Sequence, residues 1–307
     1  MLYSTVTPEA KRAAFRRAMA SDDVTVLPGA FNALASRMIE RHGYPGVYVS
    51  GHMIAADLGL PDLGLTTITE VAARGAQLAR MVGVPAIIDA DTGFGEPMNA
   101  ARSIQTLEDV GLAGCHIEDQ VNPKMCGHSD GVAVVDRDVA ARRIRAAVTA
   151  RRDPLFTIIA RTDARGVVGL DEALDRARAF VDAGADAVFP EALTGEREYE
   201  AFRNAVDVPL VINLNEFGRG TPLTLPQVTD LGYDVALYPM TLMRRAMGAV
   251  EAGLAELSRS GHQHGMLDGM QTKDELYDLL DYDEYTSFDD EVFTFRGGRA
   301  SGDSPPE

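Results

Sequence analysis

The residues from 116 to 128 carry more reactive groups than a structural turn requires. Imidazoles, carboxylates, an ammonium and a thiol fall within this segment, among them those of His116, Glu118, Lys124, Cys126 and His128. Polar and apolar residues alternate from Gly114 to Gln120, which predicts a strand with His116 and Glu118 on one face. The Asn-Pro step that follows ends the strand and starts a loop.

Cys126 lies in that loop between two basic side chains, those of Lys124 and His128. A neighbouring positive charge lowers the pKa of a thiol and makes it a nucleophile or an acid. A loop cysteine can equally be inert, so the residues alone leave these alternatives open. Cys115 is on the opposite face of the strand from His116, and we expect it to be buried against a helix.

Four carboxylates follow the predicted strands and their loops. They are Asp62, Asp89, Asp91 and Glu118. Unpaired carboxylates that converge raise one another's pKa, and a divalent cation removes that conflict. Oxygen ligands favour a hard metal, so we expect Mg²⁺ first and Mn²⁺ second. The alternative is that these acids pair with arginines or are solvated at a rim.

The charge and hydropathy of the chain exclude some classes of binding partner. Its 307 residues carry a formal net charge of −17, which argues against nucleic acid because phosphate binding requires clustered Lys and Arg. A small anionic carboxylate substrate remains compatible, since a bound metal or a few local cations override the global field. We find no apolar run that could span a membrane and no secretory signal, so we expect a cytoplasmic protein.

Eight strand-then-helix units follow one another along the chain. The predicted strands cover residues 24–30, 46–51, 85–91, 114–120, 155–163, 187–192, 209–213 and 235–239. Short apolar strands that alternate with amphipathic helices form parallel sheets. Eight such units favour an α/β fold of the closed (β/α)₈ TIM-barrel type over an open doubly wound sheet. No Gly-x-Gly-x-x-Gly follows the first strand, which weighs against a dinucleotide-binding fold.

We expect a single domain over residues 1–296, a barrel with a C-terminal helical extension, and a disordered tail over residues 297–307. In the extension, aromatic residues alternate with many acidic ones, at Tyr282, Tyr285, Phe288 and Phe293. This pattern predicts packing on the barrel or on a neighbouring subunit. The segment from the second strand through Asp62 is expected to be a loop.

Polar residues also mark the ends of the other predicted strands. They are Tyr48 and Ser50 on the second strand, Arg161 and Asp163 on the fifth, Glu191 on the sixth and Asn213 on the seventh. Chemistry in a TIM barrel takes place at the C-terminal ends of the strands, so we expect these side chains to meet the carboxylates in one mouth. His52 is as compatible with a surface position as with the site.

Several of these segments resemble the isocitrate lyase and phosphoenolpyruvate mutase superfamily. The matching segments are Ser50-Gly51, Leu58–Gly64, Asp89–Gly95, His116–Gln120, Lys124–His128, Ala160–Ala164, Phe189–Ala192 and Glu216–Gly218. The similarity extends from about residue 10 to residue 293. The Lys-x-Cys-Gly-His pattern at residues 124–128 is typical of the lyase branch and is absent from the phosphonopyruvate-forming mutases.

The resemblance implies a TIM barrel whose last helix is exchanged between subunits, usually in a homotetramer. It implies Mg²⁺ held by Asp89, with Asp62, Asp91 and Glu118 bound through water. It also implies cleavage of a C–C bond in a 2-hydroxy polycarboxylate. The first expected substrate is 2-methylisocitrate, which would be cleaved to pyruvate and succinate. Cys126 would protonate the carbanion that forms.

Further roles follow from the same resemblance. Tyr48 is the candidate base, and Arg161, Lys124 and His128 are the other expected catalytic residues. The expected substrate-binding residues are Ser50, Gly51, His116, Gly127, Glu191 and Asn213.

The sequence departs from that lyase branch at four positions. Met125 and Val132 stand where the branch usually has cations, and His52 and Asn215 also differ from its usual residues. A charged hydrogen bond contributes roughly 1.5–3 kcal/mol, so losing two would cost about a hundredfold to ten-thousandfold. Either the substrate carries less charge, another cation compensates, activity is weak, or the Met125 and Val132 side chains sit outside the site.

Other members of the superfamily suggest alternative functions. A related enzyme would retain the metal–enolate chemistry and act on another small acid. The examples are dimethylmalate cleavage, oxaloacetate hydrolysis or decarboxylation, and a carboxyphosphonoenolpyruvate-type rearrangement. A degenerate metabolite-binding homologue is the non-enzymatic alternative.

Overall fold

Short apolar segments form the central strands in a computed structural model of the chain, which describes residues 4–127, 129–218, 220 and 223–295. Eight strands are present in these residues. They are β1 (Thr25–Pro28), β2 (Val47–Val49), β3 (Ala86–Asp89), β4 (Gly114–Glu118), β5 (Thr157–Thr162), β6 (Ala187–Pro190), β7 (Val211–Asn213) and β8 (Val235–Tyr238).

All the strand pairs are parallel, and each strand lies beside its neighbours in the chain. One ladder has the order β2-β3-β4-β5-β6, and the other has the order β7-β8-β1. Single parallel bridges join the ladders at both seams, Gly29 with Tyr48 and Val188 with Leu210. The α/β fold predicted from the sequence is therefore confirmed, with the strand order of a barrel.

One cluster of buried side chains fills the space that the strands surround. It draws on strands of both ladders, including Leu27, Ile87, Ile159 and Leu237. Phe15, from the helix that precedes β1, packs into the same cluster and is fully buried. The first helix therefore covers the N-terminal end of the barrel, which leaves the C-terminal ends of the strands as the open mouth.

Helices connect the strands and continue after the last one. Within the described residues they are α1 (Pro8–Met19), α2 (Ala33–Arg41), α3 (Gly51–Asp57), α4 (Ile68–Ala79), α5 (Pro97–Asp109), α6 (Arg137–Ala150), α7 (Arg165–Val168), α8 (Leu170–Asp182), α9 (Glu196–Ala205), α10 (Leu225–Asp230), α11 (Thr241–Ser260), α12 (Lys273–Leu279) and α13 (Tyr282–Thr294). A 3₁₀ helix, His264–Gly269, lies between α11 and α12.

Two short helices differ from the sequence prediction. The segment after β2, which we expected to be a loop, begins as the seven-residue α3. The four-residue α7 also interrupts the loop after β5. Helices of this length span too few turns for an apolar periodicity to appear in the sequence. The correction matters at α3, because this helix brings His52 to the mouth of the barrel.

The C-terminal helices present apolar side chains to solvent in the single chain. None of the 20 residues of α11 is buried, and Val250 and Leu254 are exposed. Phe288 and Phe293 of α13 are 66% and 84% exposed, so these aromatic residues do not pack on this chain's own barrel. The predicted tail at 297–307 lies outside the described residues. Among those residues, no helix is both long and apolar enough to cross a membrane.

Candidate active site

Lys124 lies among the carboxylates at the mouth of the barrel. Its ammonium donates to Asp62 Oδ1 at 2.6 Å and lies 2.9 Å from Asp91 Oδ1. Burial lowers the pKa of a lysine, but the surrounding carboxylates, Asp89 and Glu118 foremost, outweigh it and hold the pKa of Lys124 well above its usual value. Sequence spacing assigns Lys124 to the thiol at position 126, whereas the structure pairs it with carboxylates.

A tight turn after β3 brings Asp89 and Asp91 together. Asp91 has a positive φ of 45°, and its N–H donates to Asp89 Oδ1 at 3.0 Å. Asp89 Oδ2 accepts from the N–H of Gly51 at 3.2 Å. A Cβ at position 51 would lie 2.7 Å from that oxygen, so glycine permits the close approach of α3. Burial raises the pKa of Asp91, although Lys124 opposes that shift.

Arg161, near the end of β5, gathers three further carboxylates. Its guanidinium donates to Asp163 at 2.8 and 3.1 Å, and it lies 3.3 Å from Glu118 Oε2 and 3.5 Å from Glu191 Oε2. Asn213 Nδ2 donates to Glu191 at 3.0 Å. Among the described residues, buried Glu118 Oε1 and Asn213 Oδ1 have no hydrogen-bond partner. The group therefore retains unused acceptors.

A second layer of buried polar groups holds Arg161 and its neighbours in place. Asp119 accepts from Thr162 Oγ1 at 2.7 Å, from the N–H of Asp163 at 2.9 Å and from Arg176 Nη1 at 3.1 Å. These bonds tie the end of β4 to the end of β5. In the sequence, Asp119 was only one residue of the matching segment His116–Gln120 and had no assigned role. Its positioning role was missed because its partners are 43 to 57 residues away in the chain.

Tyr48 and His116 form a buried hydrogen-bonded pair under the carboxylates. The Tyr48 hydroxyl lies 2.8 Å from His116 Nε2, and His116 Nδ1 is 3.7 Å from Asp89 Oδ1. Burial lowers the pKa of His116 to about 4, and burial raises the pKa of Tyr48 well above its usual value. Both rings are therefore neutral near pH 7. His116 is fully buried and reaches the cavity only through its neighbours.

The loop after β4 is fixed at both ends of the Lys-Met-Cys-Gly segment. Gln120 donates to the carbonyl of Met125 and accepts from its N–H, both at 2.9 Å. At the other end, a Cβ at Gly127 would lie 2.2 Å from Asp163 Oδ1 and 2.6 Å from Arg161 Nη2. Gly127 therefore lets the loop rest directly on this ion pair.

One cavity at the mouth brings most of the predicted site residues together. Its walls are formed by Tyr48, Ser50, His52, Asp62, Asp89, Lys124, Met125, Cys126, Gly127, Arg161, Glu191, Asn213, Asn215, Pro239 and Met240. The remaining described members of the predicted site, Gly51, Asp91, His116 and Glu118, contact these walls from beneath. His128, predicted as catalytic, lies outside the described residues.

Three of the four positions that depart from the lyase pattern, His52, Met125 and Asn215, line the cavity. Met125 lines the cavity, so the absence of a cation at this position cannot be explained by a side chain outside the site. His52 also lines the cavity and lies 3.8 Å from Asp62. No periodicity could have assigned His52, because the helix that carries it is too short to show one.

The donor set fits a hard divalent cation. Lys124 and Arg161 are the only two cations of the described residues that lie among six buried or nearly buried carboxylates. These carboxylates are Asp62, Asp89, Asp91, Glu118, Asp163 and Glu191. A surplus of carboxylate oxygens, one of them buried without a partner, is the ligand chemistry that Mg²⁺ and Mn²⁺ prefer.

Known proteins are similar to this chain over most of its length. The phosphoenolpyruvate phosphomutase family model matches residues 15–258. A probable 2-methylisocitrate lyase 1 of Corynebacterium glutamicum is 55% identical over 94% of this chain and 95% of its own length. A 2-methylisocitrate lyase of Aeropyrum pernix is 44% identical over 88% of this chain and 87% of its own length.

Three solved structures extend the comparison. An oxaloacetate acetylhydrolase bound to 3,3-difluorooxalacetate has a TM-score of 0.88 at 30% identity, and it covers 96% of this chain and 99% of its own. A 2,3-dimethylmalate lyase has a TM-score of 0.86 at 32% identity with the same coverage. A phosphonopyruvate hydrolase in complex with oxalate and Mg²⁺ has a TM-score of 0.84 at 26% identity, covering 92% of this chain and 99% of its own.

Proposed function

This chain belongs to the phosphoenolpyruvate mutase and isocitrate lyase superfamily, and from that premise we propose its reaction. It is a carbon–carbon lyase that cleaves 2-methylisocitrate to pyruvate and succinate. Relatives with that activity in their names are 55% and 44% identical over most of the chain. The observation that carries the proposal is that the Cys126 thiol lines the same cavity as Asp62 and Asp89.

The residues of the mouth can hold a divalent cation, and we propose that it is Mg²⁺, with Mn²⁺ second. Asp89 would bind it directly, and Asp62, Asp91 and Glu118 would bind through water. When bound, the cation supplies Lewis-acid stabilisation to the oxygen that becomes the carbonyl of the keto acid. Lys124 balances part of the carboxylate charge when the cation is absent.

Proton removal from the substrate hydroxyl is assigned to Tyr48 together with His116. The phenol is neutral, so it can accept a proton only as it passes its own to a partner. His116 is that partner: its ring is neutral, and in the tautomer that carries the hydrogen on Nδ1, Nε2 accepts from the Tyr48 hydroxyl 2.8 Å away. Asp89, 3.7 Å from the other ring nitrogen, stabilises the imidazolium that results.

Cys126 supplies the proton at the other end of the reaction. Breaking the C–C bond leaves one fragment as pyruvate and leaves the bonding electron pair on the carbon that becomes part of succinate. Cys126 Sγ donates its proton to that carbon, and the thiolate then recovers the proton taken from the hydroxyl. Cys126 lines the cavity, and Gly127 beside it rests on the Arg161–Asp163 pair; both observations support this role.

The remaining polar groups would bind the substrate carboxylates. Arg161 is the cation best placed to do so, with Asn213 and Glu191 orienting it and the substrate hydroxyl. Ser50 and the amide of Gly51 would take the keto-acid end, although the Gly51 N–H is donated to Asp89 in this structure and would have to be shared.

Release of pyruvate or glyoxylate from a panel of acids, and of oxalate from oxaloacetate, tests the proposal. The panel comprises 2-methylisocitrate, isocitrate, 2,3-dimethylmalate and oxaloacetate, each with Mg²⁺ and with EDTA. We expect Mg²⁺-dependent cleavage of 2-methylisocitrate, lost in Cys126→Ala and retained in Cys115→Ala, which changes a thiol that is fully buried in β4. Turnover of another acid with none of 2-methylisocitrate would overturn the assignment.

A second candidate is cleavage of a smaller dicarboxylate such as 2,3-dimethylmalate. Met125 and Met240 line the cavity and give part of its wall an apolar character. Such a wall suits a methyl group better than a third carboxylate, because an unpaired charge against it would be poorly solvated. A higher kcat/KM for 2,3-dimethylmalate than for 2-methylisocitrate would favour this candidate.

We further propose a homotetramer of single-domain chains in the cytoplasm, in which α11 packs on a neighbouring subunit. The domain covers residues 1–296. Val250, Leu254 and Leu257 of α11 are exposed in the single chain and would be covered by the exchange. Sedimentation of the full chain should give a tetramer that Leu254→Asp dissociates; a monomeric wild-type protein would contradict the exchange.

A further inference from the structure

We propose that His52, Asp62 and Cys126 form a second metal site that binds a thiophilic divalent cation of the Zn²⁺ class and blocks the thiol. One ligand atom of each residue, an imidazole nitrogen, a carboxylate oxygen and Sγ, lies within 4.8 Å of the other two. The site goes beyond the proposed lyase activity; only its inhibitory consequence rests on the role proposed for Cys126.

The three ligands come from different segments that meet at the cavity. His52 is on α3, Asp62 is in the loop that follows α3, and Cys126 is in the loop after β4. His52 Nδ1 is 3.8 Å from Asp62 Oδ2. Ligand atoms around a tetrahedral zinc are roughly 3.5 Å apart, so this pair needs only a small adjustment.

Asp62 can serve this site and remain paired with Lys124. Lys124 bonds Oδ1 of Asp62 at 2.6 Å, whereas His52 faces Oδ2. The ammonium therefore orients the carboxylate from one side and leaves the other oxygen directed towards His52. Partners of this kind, one step removed from the metal, fix the orientation of the ligating groups.

The ligand types distinguish this site from the one proposed for Mg²⁺, although Asp62 belongs to both: it would bind Mg²⁺ only through water and would bind this cation directly. Mg²⁺ prefers oxygen ligands, whereas a thiolate and an imidazole favour zinc and its relatives. Three protein ligands leave the fourth tetrahedral position to water or to a substrate oxygen. On binding, the Cys126 thiol releases its proton to solvent, so it no longer holds the proton that the lyase reaction requires.

Co²⁺ is the probe that tests the site, because thiolate coordination gives a charge-transfer absorption. Full-length protein in saturating Mg²⁺ is titrated with Co²⁺, and Zn²⁺ is then used to displace it. We expect one Co²⁺ per chain with a thiolate charge-transfer band that is absent in Cys126→Ala and intact in Cys115→Ala. In His52→Ala we expect the apparent Kd for Co²⁺ to rise at least about tenfold. Loss of a residue that only hydrogen-bonds to a metal ligand already lowers metal affinity by about that factor.

Several outcomes would overturn the site. They are the absence of the band in the wild type, an unchanged Kd in His52→Ala, and loss of the band as Mg²⁺ is raised, which would mean that the two metals compete for one position instead of occupying two. If His52→Ala does not fold, His52→Gln gives the same readout. This absorption needs no substrate, so it stands or falls separately from the lyase assignment.

The inhibitory consequence has its own measurement on the same proteins. Zn²⁺ added at fixed Mg²⁺ should inhibit turnover reversibly, and the concentration for half-inhibition should be at least about tenfold higher in His52→Ala than in the wild type. Equal sensitivity of the two proteins would overturn the blocking role of the site.

Discussion

The two ends of the barrel both bury charged side chains, but they do so differently. At the N-terminal end, Arg12 donates to the carbonyls of Glu108 and Leu112 at 2.8 and 3.0 Å and to Asp153 at 2.9 Å. The Glu108 carboxylate in turn accepts from the N–H groups of Arg152 and Asp153 at 2.8–3.1 Å. The charged donors and acceptors of this group are matched with one another.

At the C-terminal end, carboxylates and cations are not matched in number. Carboxylates outnumber the cations Lys124 and Arg161, and Glu118 Oε1 and Asn213 Oδ1 are buried without partners among the described residues. A buried polar group without a partner costs about 1–3 kcal/mol. The matched end therefore serves stability, and the unmatched end retains unfavourable groups that a cation and a substrate can satisfy.

Removal of divalent cations should affect only the unmatched end. With EDTA we expect turnover to fall at least about a thousandfold, because Lewis-acid stabilisation is worth several kcal/mol. Restoration by Mg²⁺ and a circular dichroism spectrum unchanged by EDTA would support the comparison. Full activity in EDTA would contradict it.

Substitution of one buried cation at each end sharpens the contrast. Arg12→Met removes the bonded cation from Asp153 and the donor from the carbonyls of Glu108 and Leu112, and it should lower the free energy of unfolding by about 3–5 kcal/mol, with or without Mg²⁺. Lys124→Met should cost a similar amount in EDTA, because Asp62 and Asp91 lose their shared ammonium. Urea unfolding measures both.

Mg²⁺ distinguishes these two variants. It should recover most of the loss in Lys124→Met, since the cation replaces the missing positive charge, and none in Arg12→Met. An equal response of both variants to Mg²⁺ would show that the two ends do not differ as described.

Gly127→Ala tests whether the loop position matters at the unmatched end. A Cβ there would overlap Asp163 Oδ1 at 2.2 Å, so the loop must move away from Arg161. A displacement of about 1 Å can cost about a hundredfold in rate. We expect that loss in kcat with little change in the urea midpoint. Retained kcat would mean that the loop does not have to rest on this pair.

The smallest effect is expected from Asp153→Asn at the matched end. It exchanges one charged partner of Arg12 for a neutral acceptor and should lower the free energy of unfolding by about 0.5–1.5 kcal/mol. Turnover with saturating substrate should be unchanged. A loss of activity would show that the N-terminal end contributes to the site.

The repeating pattern of the chain predicted most of the fold. Each of the eight predicted strands contains an observed one. A capping box of the Thr-x-x-Glu type, Thr67 with Glu70, starts α4 with bonds of 2.8 and 3.3 Å. These features depend on residues close together in the chain. The missed helices α3 and α7 are too short for such a pattern.

The site was predicted as a set of residues but not as an arrangement. Asp89 and Tyr48 were found from their positions at strand ends, and both line the cavity. The sequence assigned Lys124 to its neighbour Cys126, whereas its ammonium bonds Asp62, 62 residues away. Local spacing cannot rank such partners, because the geometry of the closed loop decides which charges meet.

The sequence by itself determined the α/β order, the strand-end carboxylates and the lyase-type cysteine segment, since these follow from periodicity and residue type along a few neighbouring positions. The tertiary structure alone decided the hydrogen bond between Tyr48 and His116, the support of Asp163 by Asp119, and the approach of His52 to Asp62. Each of these contacts joins residues far apart in the chain. Only the packing of strands and loops around a common mouth sets such distances.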